Sequence, residues 1–291
     1  MVKWLLNVRG KSWGDTLALW VNAAFWFPRR WWYEWRYGDK NRAWEALVSQ
    51  QPERHWLRWP LSLQRRFYRW KKRIWVDALG LTWLMSRQHE DLPMSWLSRL
   101  HQAIVGIDIG AHRGYWSLIQ REKMPTNSWV ILMEPDPENY TFLLRNLALN
   151  SVSWAFPLPL AGWRMPARLA LRGGDHGAVH GSFGYRIDFQ QEGDTLATSV
   201  DALVQAFALP TVDWIKIDVE GAEAAVLEGA RDTLRRFGPT LWIEMHDTWE
   251  AVEAILADAD YEIKDRIEKG AHGPYKRIGY LWAEPRAGRS T

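Results

Sequence analysis

The sequence lacks cysteine altogether, and this absence excludes disulfide bonds, thiolate metal ligands and cysteine nucleophiles. It also lacks a convincing membrane span, because the nearly apolar stretch from Thr16 to Phe27 is shorter than the roughly 20 residues that a bilayer needs. Arg29, Arg30 and several tryptophans follow this stretch in place of a small-residue cleavage site, so we expect it to be retained. Nothing here argues for an oxidising compartment. We therefore expect a cytoplasmic protein that is able to associate peripherally with a membrane.

The charge of the chain is divided unevenly, although the net charge is only +3. Residues 1–100 carry 18 Lys and Arg against 8 Asp and Glu, whereas residues 101–291 carry 19 against 26. Tryptophan follows the same division, since 14 of the 22 lie in the first hundred residues. The sequence therefore predicts a helical, basic, tryptophan-rich region over 1–100, punctuated by prolines, and a second domain over 101–291.

Two stretches of the first region, 29–37 and 65–73, mix aromatic rings with basic side chains. Such mixtures suit the headgroup layer of a membrane, single-stranded nucleic acid, or an anionic substrate such as a phosphate-linked sugar. The alternative is that tryptophans such as Trp20 and Trp44 pack a helical cap onto the second domain. Because the basic residues of 65–73 repel one another unless an anion is near, this stretch favours an anionic membrane or a lipid-linked substrate.

The second domain begins with V-G-I-D-I-G-A-H-R-G-Y-W-S, residues 105–117. A short apolar run ends in a turn that holds Gly110 and Gly114, and residues 115–121 then have helical character. Strand, glycine turn and helix form the first unit of a nucleotide-binding α/β domain. Glycine allows the backbone to approach a ligand closely, and the N-terminus of the helix offers free N–H groups.

A second apolar run, residues 129–133, ends on Glu134, which follows Gly110 by 24 residues. An acid about 20 residues after the glycine turn is where an adenosine ribose has its hydroxyls bound. An ionised carboxylate suits this role because it accepts hydrogen bonds through two oxygens. Pro135 then ends the strand. Ala161, which follows the third predicted strand, is a candidate for contact with the edge of the adenine ring.

The rest of the domain alternates apolar strands with helical segments. The predicted strands are 104–109, 129–134, 152–160, 195–200, 212–218, 240–245, 260–265 and 277–283, with helices at 114–123, 137–149, 221–236 and 248–258, a further helix ending at 208, and a hairpin from 167–171 and 185–189. This alternation predicts an α/β fold with a mainly parallel sheet and helices on both faces. Ligands of such sheets bind beyond the carboxyl ends of the strands.

Titratable residues fall at these predicted strand ends, namely Asp108, Glu134, Asp218, Glu244 and His246. His246 is our preferred general base, since imidazole titrates near neutrality, with Asp218 or Glu244 orienting it or taking its place. The last three could alternatively hold a divalent metal, Mn or Zn more naturally than Mg. We do not favour this alternative, because no tight ligand motif is present.

Lys216, Asp218 and Glu220 alternate along the predicted strand 212–218 and just beyond its end, so they share one face. A buried lysine is costly unless it is paired, and we expect Lys216 to meet a carboxylate such as Asp218 or Glu244. A structural ion pair and a catalytic role for Lys216 both remain open. Glu220 and Glu223 begin the next helix, where acids are favoured by the helix dipole in any case.

Three motifs in order, I-D-I-G-A-H-R-G-Y-W-S, M-E-P-D-P-E-N and I-K-I-D-V-E-G-A-E, resemble the FkbM-type methyltransferase family over roughly residues 100–284. This resemblance implies a class I methyltransferase fold and S-adenosylmethionine as cofactor. It places Asp108 and Gly110 at the amino-acid and ribose end of the cofactor. The predicted cofactor-binding residues are Asp108, Gly110, Ala111, Gly114, Tyr115, Glu134, Pro135, Ala161 and Asp218, and the predicted catalytic residues are His246, Asp218, Glu244 and Lys216.

The resemblance implies transfer of a methyl group to a hydroxyl oxygen of a sugar, glycan, glycolipid or polyketide. We expect the basic aromatic region to recognise that acceptor or to dock on a membrane that carries it. One alternative is an RNA ribose 2′-O-methyltransferase, although that class relies on a Lys-Asp-Lys-Glu set and this chain has no lysine near the first strand. The other is a non-catalytic adaptor that keeps the fold.

Overall fold

The computed structural model describes residues 67–70, 74–77, 102–172, 186–188, 193–272 and 275–286. The strands are β1 (Phe67–Trp70), β2 (Ile74–Asp77), β3 (Val105–Ile109), β4 (Trp129–Met133), β5 (Ala155–Leu158), β6 (Ala161–Gly162), β7 (Ala167–Arg172), β8 (Arg186–Asp188), β9 (Thr195–Thr198), β10 (Trp214–Ile217), β11 (Thr240–His246), β12 (Tyr261–His272) and β13 (Tyr275–Pro285). The helices are α1 (Tyr115–Gln120), α2 (Pro137–Leu149), α3 (Val200–Ala206), α4 (Glu223–Glu228), α5 (Arg231–Phe237) and α6 (Trp249–Asp258).

Seven strands form the central sheet, in the order β12–β13–β11–β10–β3–β4–β5. The pairs from β11 to β5 are parallel, whereas β13 runs antiparallel to both of its neighbours. The strand order reverses between β3 and β10, and such a reversal opens a crevice at the carboxyl ends of a parallel sheet. The predicted α/β fold with a mainly parallel sheet is confirmed.

The two faces of the sheet are covered by different helices and different side chains. On one face, the branched aliphatic residues of β3, β4, β10 and β11 pack against α3, α4, α5 and α6. On the other face, Val130, Leu132, Trp214 and Trp242 pack with residues of α1 and α2. Burial on both faces explains why these strands read as continuous apolar runs in the sequence.

A smaller four-stranded sheet, in the order β6–β9–β7–β8, lies between the two halves of the domain in sequence. β7 pairs antiparallel with β8, which confirms the predicted hairpin. β6 pairs parallel with β9. Gly162 of β6 lies against the Ile109 side chain, since a Cβ added there would be 2.5 Å from Ile109 Cγ2. This contact places β6 at the carboxyl end of β3.

The single helix predicted over 221–236 is wrong, because the structure divides it into α4 and α5. The break falls at Gly229, whose carbonyl accepts a hydrogen bond from the Asp201 N–H at 2.9 Å. A Cβ at this position would lie 2.2 Å from the Trp163 carbonyl oxygen and 2.8 Å from Ser199 Cβ. The tight approach of two neighbouring segments therefore interrupts the helix.

The helical prediction is also wrong for part of the first region, where β1 and β2 form an antiparallel hairpin. The sequences F-Y-R-W and I-W-V-D are rich in aromatic and β-branched residues, which favour strands over helices. The backbone of β2 lies beside α1 and α2. The remaining predictions for this region, including the basic stretch 29–37 and the packing of Trp20 and Trp44, lie outside the described residues.

The last two strands are longer than the predicted 260–265 and 277–283. β12 and β13 pair along a hairpin that reaches from Tyr261 and Pro285 to His272 and Tyr275, with register shifts that twist it. Within the part of the chain that the structure describes, no helix has the length and apolar character needed to cross a bilayer.

Gly229→Ala tests the reason given for the break between α4 and α5. We expect it to lower the free energy of unfolding by about 3 kcal/mol, because the added methyl group overpacks against a backbone carbonyl. Gly270→Ala is the matched control, since nothing lies within 4 Å of its Cβ position and only its φ of +83° is unfavourable. It should cost about 1 kcal/mol in urea unfolding. An equal loss in the two variants would contradict the steric explanation.

Candidate active site

A buried ion pair joins β3 to β10 beneath the carboxyl edge of the sheet. Asp108 and Lys216 are register partners on these strands, and their side chains point to the same face. Lys216 Nζ lies 3.0 Å from Asp108 Oδ1, and the Ser117 hydroxyl donates to Asp108 Oδ2 at 2.6 Å. Asp108 is fully buried and Lys216 is 3% exposed. Lys216 therefore meets a carboxylate as predicted, but its nearest partner is Asp108.

The environment of Lys216 keeps its ammonium group charged. Burial alone would lower its pKa, but the carboxylates of Asp108 and Asp218 outweigh burial and raise the pKa above its usual value. Asp218 Oδ2 lies 3.5 Å from Lys216 Nζ, so the predicted contact with Asp218 also exists. Lys216 also donates to the Gly110 carbonyl at 3.0 Å. The lysine thus joins the glycine turn to the ends of both central strands.

The glycine turn has no room for a larger residue at its first glycine. Gly110 has a φ of +76°, and a Cβ there would lie 1.8 Å from the Asp218 carbonyl oxygen. Its N–H and that of Ala111 both donate to the Met133 carbonyl. On the other side of the turn, the Asn146 side chain of α2 donates to the Arg113 carbonyl at 2.9 Å. The turn is therefore held by β4, β10 and α2.

Glu134 lies at the carboxyl edge of the sheet, at the end of β4, and contacts the glycine turn. Its Oε2 accepts from the His112 N–H at 2.8 Å, and its Oε1 accepts from the Asp136 N–H at 2.9 Å. Burial raises the pKa of Glu134 to about 7, although both backbone hydrogen bonds favour the ionised form. Each oxygen keeps a second lone pair, so the carboxylate can accept from two further hydroxyl groups.

The other predicted cofactor residues surround the same crevice. Ala111 and Tyr115 are buried at the turn and at the start of α1, and the Tyr115 ring meets the His112 ring edge-on at 5.8 Å. Pro135 lies between Glu134 and the N-cap of α2. Ala161 is buried in β6, which lies at the carboxyl end of β3.

A cluster of acids occupies the ends of β10 and β11, beside the predicted cofactor side. It contains Asp218, Glu220, Glu223 and Glu244, with His246 among them. Burial raises the pKa of Glu244, and the nearby charge of Asp218 raises it further against the opposing effects of His246 and Lys216. Among the residues that the structure describes, none forms a hydrogen bond or ion pair with the Glu244 carboxylate.

His246 is oriented by Glu223, and not by Asp218 or Glu244 as predicted. Its Nδ1 lies 2.8 Å from Glu223 Oε1, while its Nε2 lies 3.7 Å from Glu220 Oε2. Burial alone would lower its pKa, but the hydrogen bond to Glu223 and the charges of Glu220 and Glu223 raise it to about 10. The imidazole is therefore charged at neutral pH. Thr248 donates to the second oxygen of Glu223 at 2.7 Å.

Backbone strain is concentrated at the same edge. His112, Glu220 and Asp247 follow β3, β10 and β11, and all three have a positive φ between 52° and 60°. This conformation is costly for residues with a side chain, and it is typical of binding and catalytic sites. Other non-glycine residues with positive φ, such as Ser151 and Asp260, follow helix ends, where this conformation is common.

The alternative of a metal site finds no geometric support in the described part of the chain. No three His, Cys, Asp or Glu side chains there converge in a way that could hold a metal ion. Carboxylates lie near both ring nitrogens of His246.

Several residues at this edge had no signal in the sequence. Ser117, Asn146 and Thr248 act through contacts made across elements, which single-sequence spacing does not encode. Glu223 carries only the signal of an acid at the start of a helix. Tyr275 has no signal in the sequence, yet its hydroxyl donates to Glu220 Oε2 at 2.7 Å.

Lys216→Met tests the dependence of the domain on the buried ion pair. We expect it to lower the free energy of unfolding by about 3–5 kcal/mol, because it leaves the Asp108 carboxylate buried without a counter-ion. Arg231→Met is the matched control, since it breaks an exposed Arg231–Asp258 pair of the same 3.0 Å length. It should cost less than about 1 kcal/mol in urea unfolding. Similar losses in the free energy of unfolding for the two variants would show that the buried pair stabilises the domain no more than the exposed one.

Comparison with known proteins agrees with this architecture. The sequence matches the family described as Methyltransferase FkbM domain over residues 108–264, more than half of the chain. A curated relative, methyltransferase sdnD of Sordaria araneosa, is 27% identical over 199 residues, covering 56% of this chain and 75% of the relative.

Solved structures that resemble the chain include a methyltransferase FkbM from Methylobacillus flagellatus, at 19% identity and a TM-score of 0.41. That match covers 69% of this chain and 52% of the other. A precorrin-6y C5,15-methyltransferase from Geobacter metallireducens is 16% identical, with a TM-score of 0.40 and coverage of 66% and 86%. The extent of the family match decides the assignment: the chain belongs to the FkbM methyltransferases and is an S-adenosylmethionine-dependent enzyme.

Proposed function

We propose that the chain transfers a methyl group from S-adenosylmethionine to a hydroxyl oxygen of a sugar, glycan or glycolipid-type acceptor, with Glu244 as the general base. The observation that carries this proposal is the Glu244 carboxylate. It lies at the carboxyl edge of the sheet, and burial raises its pKa. No described residue forms a hydrogen bond or ion pair with it. An oxygen acceptor, unlike a carbanion or a thiolate, brings a proton that some group must remove as the bond to carbon forms.

The residues of the glycine turn and β4 fit the cofactor. S-adenosylmethionine supplies a methyl group activated by bonding to a positively charged sulfur. Glu134 supplies the acceptor atoms that a ribose diol needs, and the backbone of Gly110 allows close approach at the turn. Asp218, which is partly exposed and only 3.5 Å from Lys216, is placed beside this turn. We assign it to cofactor binding and to the electrostatics of the catalytic edge.

Burial and the charge of Asp218 raise the pKa of Glu244 to about 8, so its ionised form, which prevails above that pH, accepts a proton more readily than an ordinary carboxylate. His246 is a poorer base in this arrangement, since its pKa of about 10 leaves it already protonated. We assign a positioning role to the His246 imidazolium, which holds the surrounding carboxylates in place. Lys216 is likewise charged, and its contacts with Asp108 and Gly110 favour a structural role close to the chemistry.

The acidic character of this edge argues against the RNA alternative. Among the residues that the structure describes, the four carboxylates of Asp218, Glu220, Glu223 and Glu244 lie near two cations, Lys216 and His246. A polyanion would be repelled from such a site, whereas an uncharged polyol can donate its hydroxyls to carboxylates. Docking of the basic first region on an anionic membrane stays a prediction, and it would bring lipid-linked acceptors to the enzyme.

Cofactor binding should depend on pH through Glu134. A carboxyl group accepts hydrogen bonds from both hydroxyls of a diol when it is ionised, and the pKa of Glu134 is about 7. Affinity for S-adenosylhomocysteine should therefore be highest above pH 8 and fall roughly tenfold per unit well below pH 7, since one proton competes with the ligand. Glu134→Gln should weaken binding and remove this dependence in calorimetric titrations. Glu138→Gln, an exposed acid of α2, is the control. A flat wild-type profile would contradict the role of Glu134.

Methyl transfer should depend on Glu244 without loss of cofactor affinity. The full chain is incubated with S-adenosylmethionine carrying a radiolabelled methyl group, and with methyl glycosides, a lipid-linked glycan or an RNA oligonucleotide. We expect label on a glycoside or glycan hydroxyl, and a loss of about 100-fold in kcat for Glu244→Gln. S-adenosylhomocysteine should bind this variant as it binds wild type.

Glu262→Gln, which removes an exposed acid paired with Lys264 on β12, should behave as wild type in this experiment. Label on RNA alone would replace the proposed acceptor with the nucleic acid. Full activity of Glu244→Gln would assign the base elsewhere.

A further inference from the structure

The hairpin of β12 and β13 extends past the carboxyl edge of the sheet. β11 ends at His246, which pairs with Ile278, so the hairpin beyond Ile278 has no partner in β11. The loop after β11 holds this extension, because the Asp247 carboxylate accepts from the N–H groups of Lys276 and Arg277. Arg277 is held in turn by Glu250 and Glu268. Residues 275–277 of β13 are therefore held at this edge, beside the acid cluster.

Tyr275 is the residue of this segment that contacts the acid cluster. Its hydroxyl lies 2.7 Å from Glu220 Oε2 and 3.2 Å from the Glu220 carbonyl oxygen. Its ring lies 4.7 Å from the His246 ring, at an angle of 56°. Tyr275 thus contacts both members of the Glu220–His246 pair, although it lies beyond residues 108–264, which match the family.

Glu220 needs such a contact to keep its conformation. Its φ of +52° is unfavourable for a residue with a side chain, and the following Gly221 has a φ of +101°. The loop therefore stays in this conformation only where surrounding contacts hold it. Tyr275 on β13 holds the side chain, and the charge of His246 on β11 attracts it across 3.7 Å.

We propose that Tyr275 is a positioning residue of methyl transfer, which holds the Glu220 carboxylate against His246 on the acceptor side of the site. This inference rests on the proposed function for the identity of that side. Without the phenol, Glu220 can leave the strained conformation. The charge balance around His246 and Glu244 then changes.

The groups that face Glu220 determine the sign of the effect. They are Tyr275 on β13, His246 on β11, Asp218 at the end of β10 and Glu223 on α4. Burial and the two acids raise the pKa of Glu220, while His246 and the Tyr275 hydroxyl lower it. Loss of the hydroxyl therefore favours the neutral form of Glu220. A neutral or displaced Glu220 stabilises the imidazolium less, so the pKa of His246 falls.

Tyr275→Phe tests the proposal in the full chain, with Tyr261→Phe as the matched control. Tyr261 lies at the opposite end of the same hairpin, and its hydroxyl donates to the Pro239 carbonyl at 3.0 Å. Nitrogen-15 NMR of the imidazole, assigned through His246→Gln, follows the titration of His246. We expect its pKa to fall by about one unit in Tyr275→Phe and to stay unchanged in Tyr261→Phe.

The rate of methyl transfer is the second measurement. Its acceptor is the methyl glycoside that receives the most label from the wild-type enzyme. Tyr275→Phe should lower kcat/KM for the acceptor about tenfold or more, while the affinity for S-adenosylhomocysteine stays within about twofold. An unchanged His246 titration, or an unchanged kcat/KM, overturns the proposal. If wild type labels no glycoside, the proposed acceptor fails, and the NMR titration still decides whether Tyr275 holds Glu220 against His246.

Discussion

The buried ion pair between Asp108 and Lys216 is the constraint on which the rest of the site depends. Two charges in the interior of a parallel sheet are tolerated only when they are paired and hydrogen-bonded, and here Ser117 and the Gly110 carbonyl complete the arrangement. The pair fixes β3 against β10 at the point where the strand order reverses. The lysine also donates a hydrogen bond to the Gly110 carbonyl, which links the glycine turn to the same ion pair.

From this centre the carboxyl edge divides into two sides with different chemistry. On the β4 side, the Glu134 carboxylate accepts hydrogen bonds from two backbone N–H groups, which orient it beside the glycine turn. On the β11 side, carboxylates surround a charged imidazole, and Tyr275 of β13 contacts both this imidazole and Glu220. We propose that the first side binds the ribose and that the second binds the hydroxyls of an acceptor. Asp218, which approaches Lys216, lies between the two.

The sequence alone was sufficient for the α/β fold and for bringing the strand-end residues to one edge, because parallel strands buried on both faces read as apolar runs and their carboxyl ends must share one edge. Spacing indicated a role for Glu134, but not the hydrogen bond that it accepts from the His112 N–H. The β1–β2 hairpin was missed although its composition favours strands, and the other failures depended on contacts across elements. The helix break at Gly229 comes from the close approach of Trp163 and Ser199. The partner of His246 turned out to be Glu223, and Tyr275 was missed because the length of the last hairpin is set by pairing and not by local composition.

Hydrogen–deuterium exchange of the full chain with and without S-adenosylhomocysteine locates the bound ligand without requiring an acceptor. We expect slower exchange in the peptides that contain 110–115, 134–139 and 218–223, at the ends of β3, β4 and β10. Peptides of the exposed outer helix α5 should be unchanged. Protection that is absent from the glycine turn and from Glu134, or that appears only elsewhere, would contradict the assignment of this edge as the cofactor site.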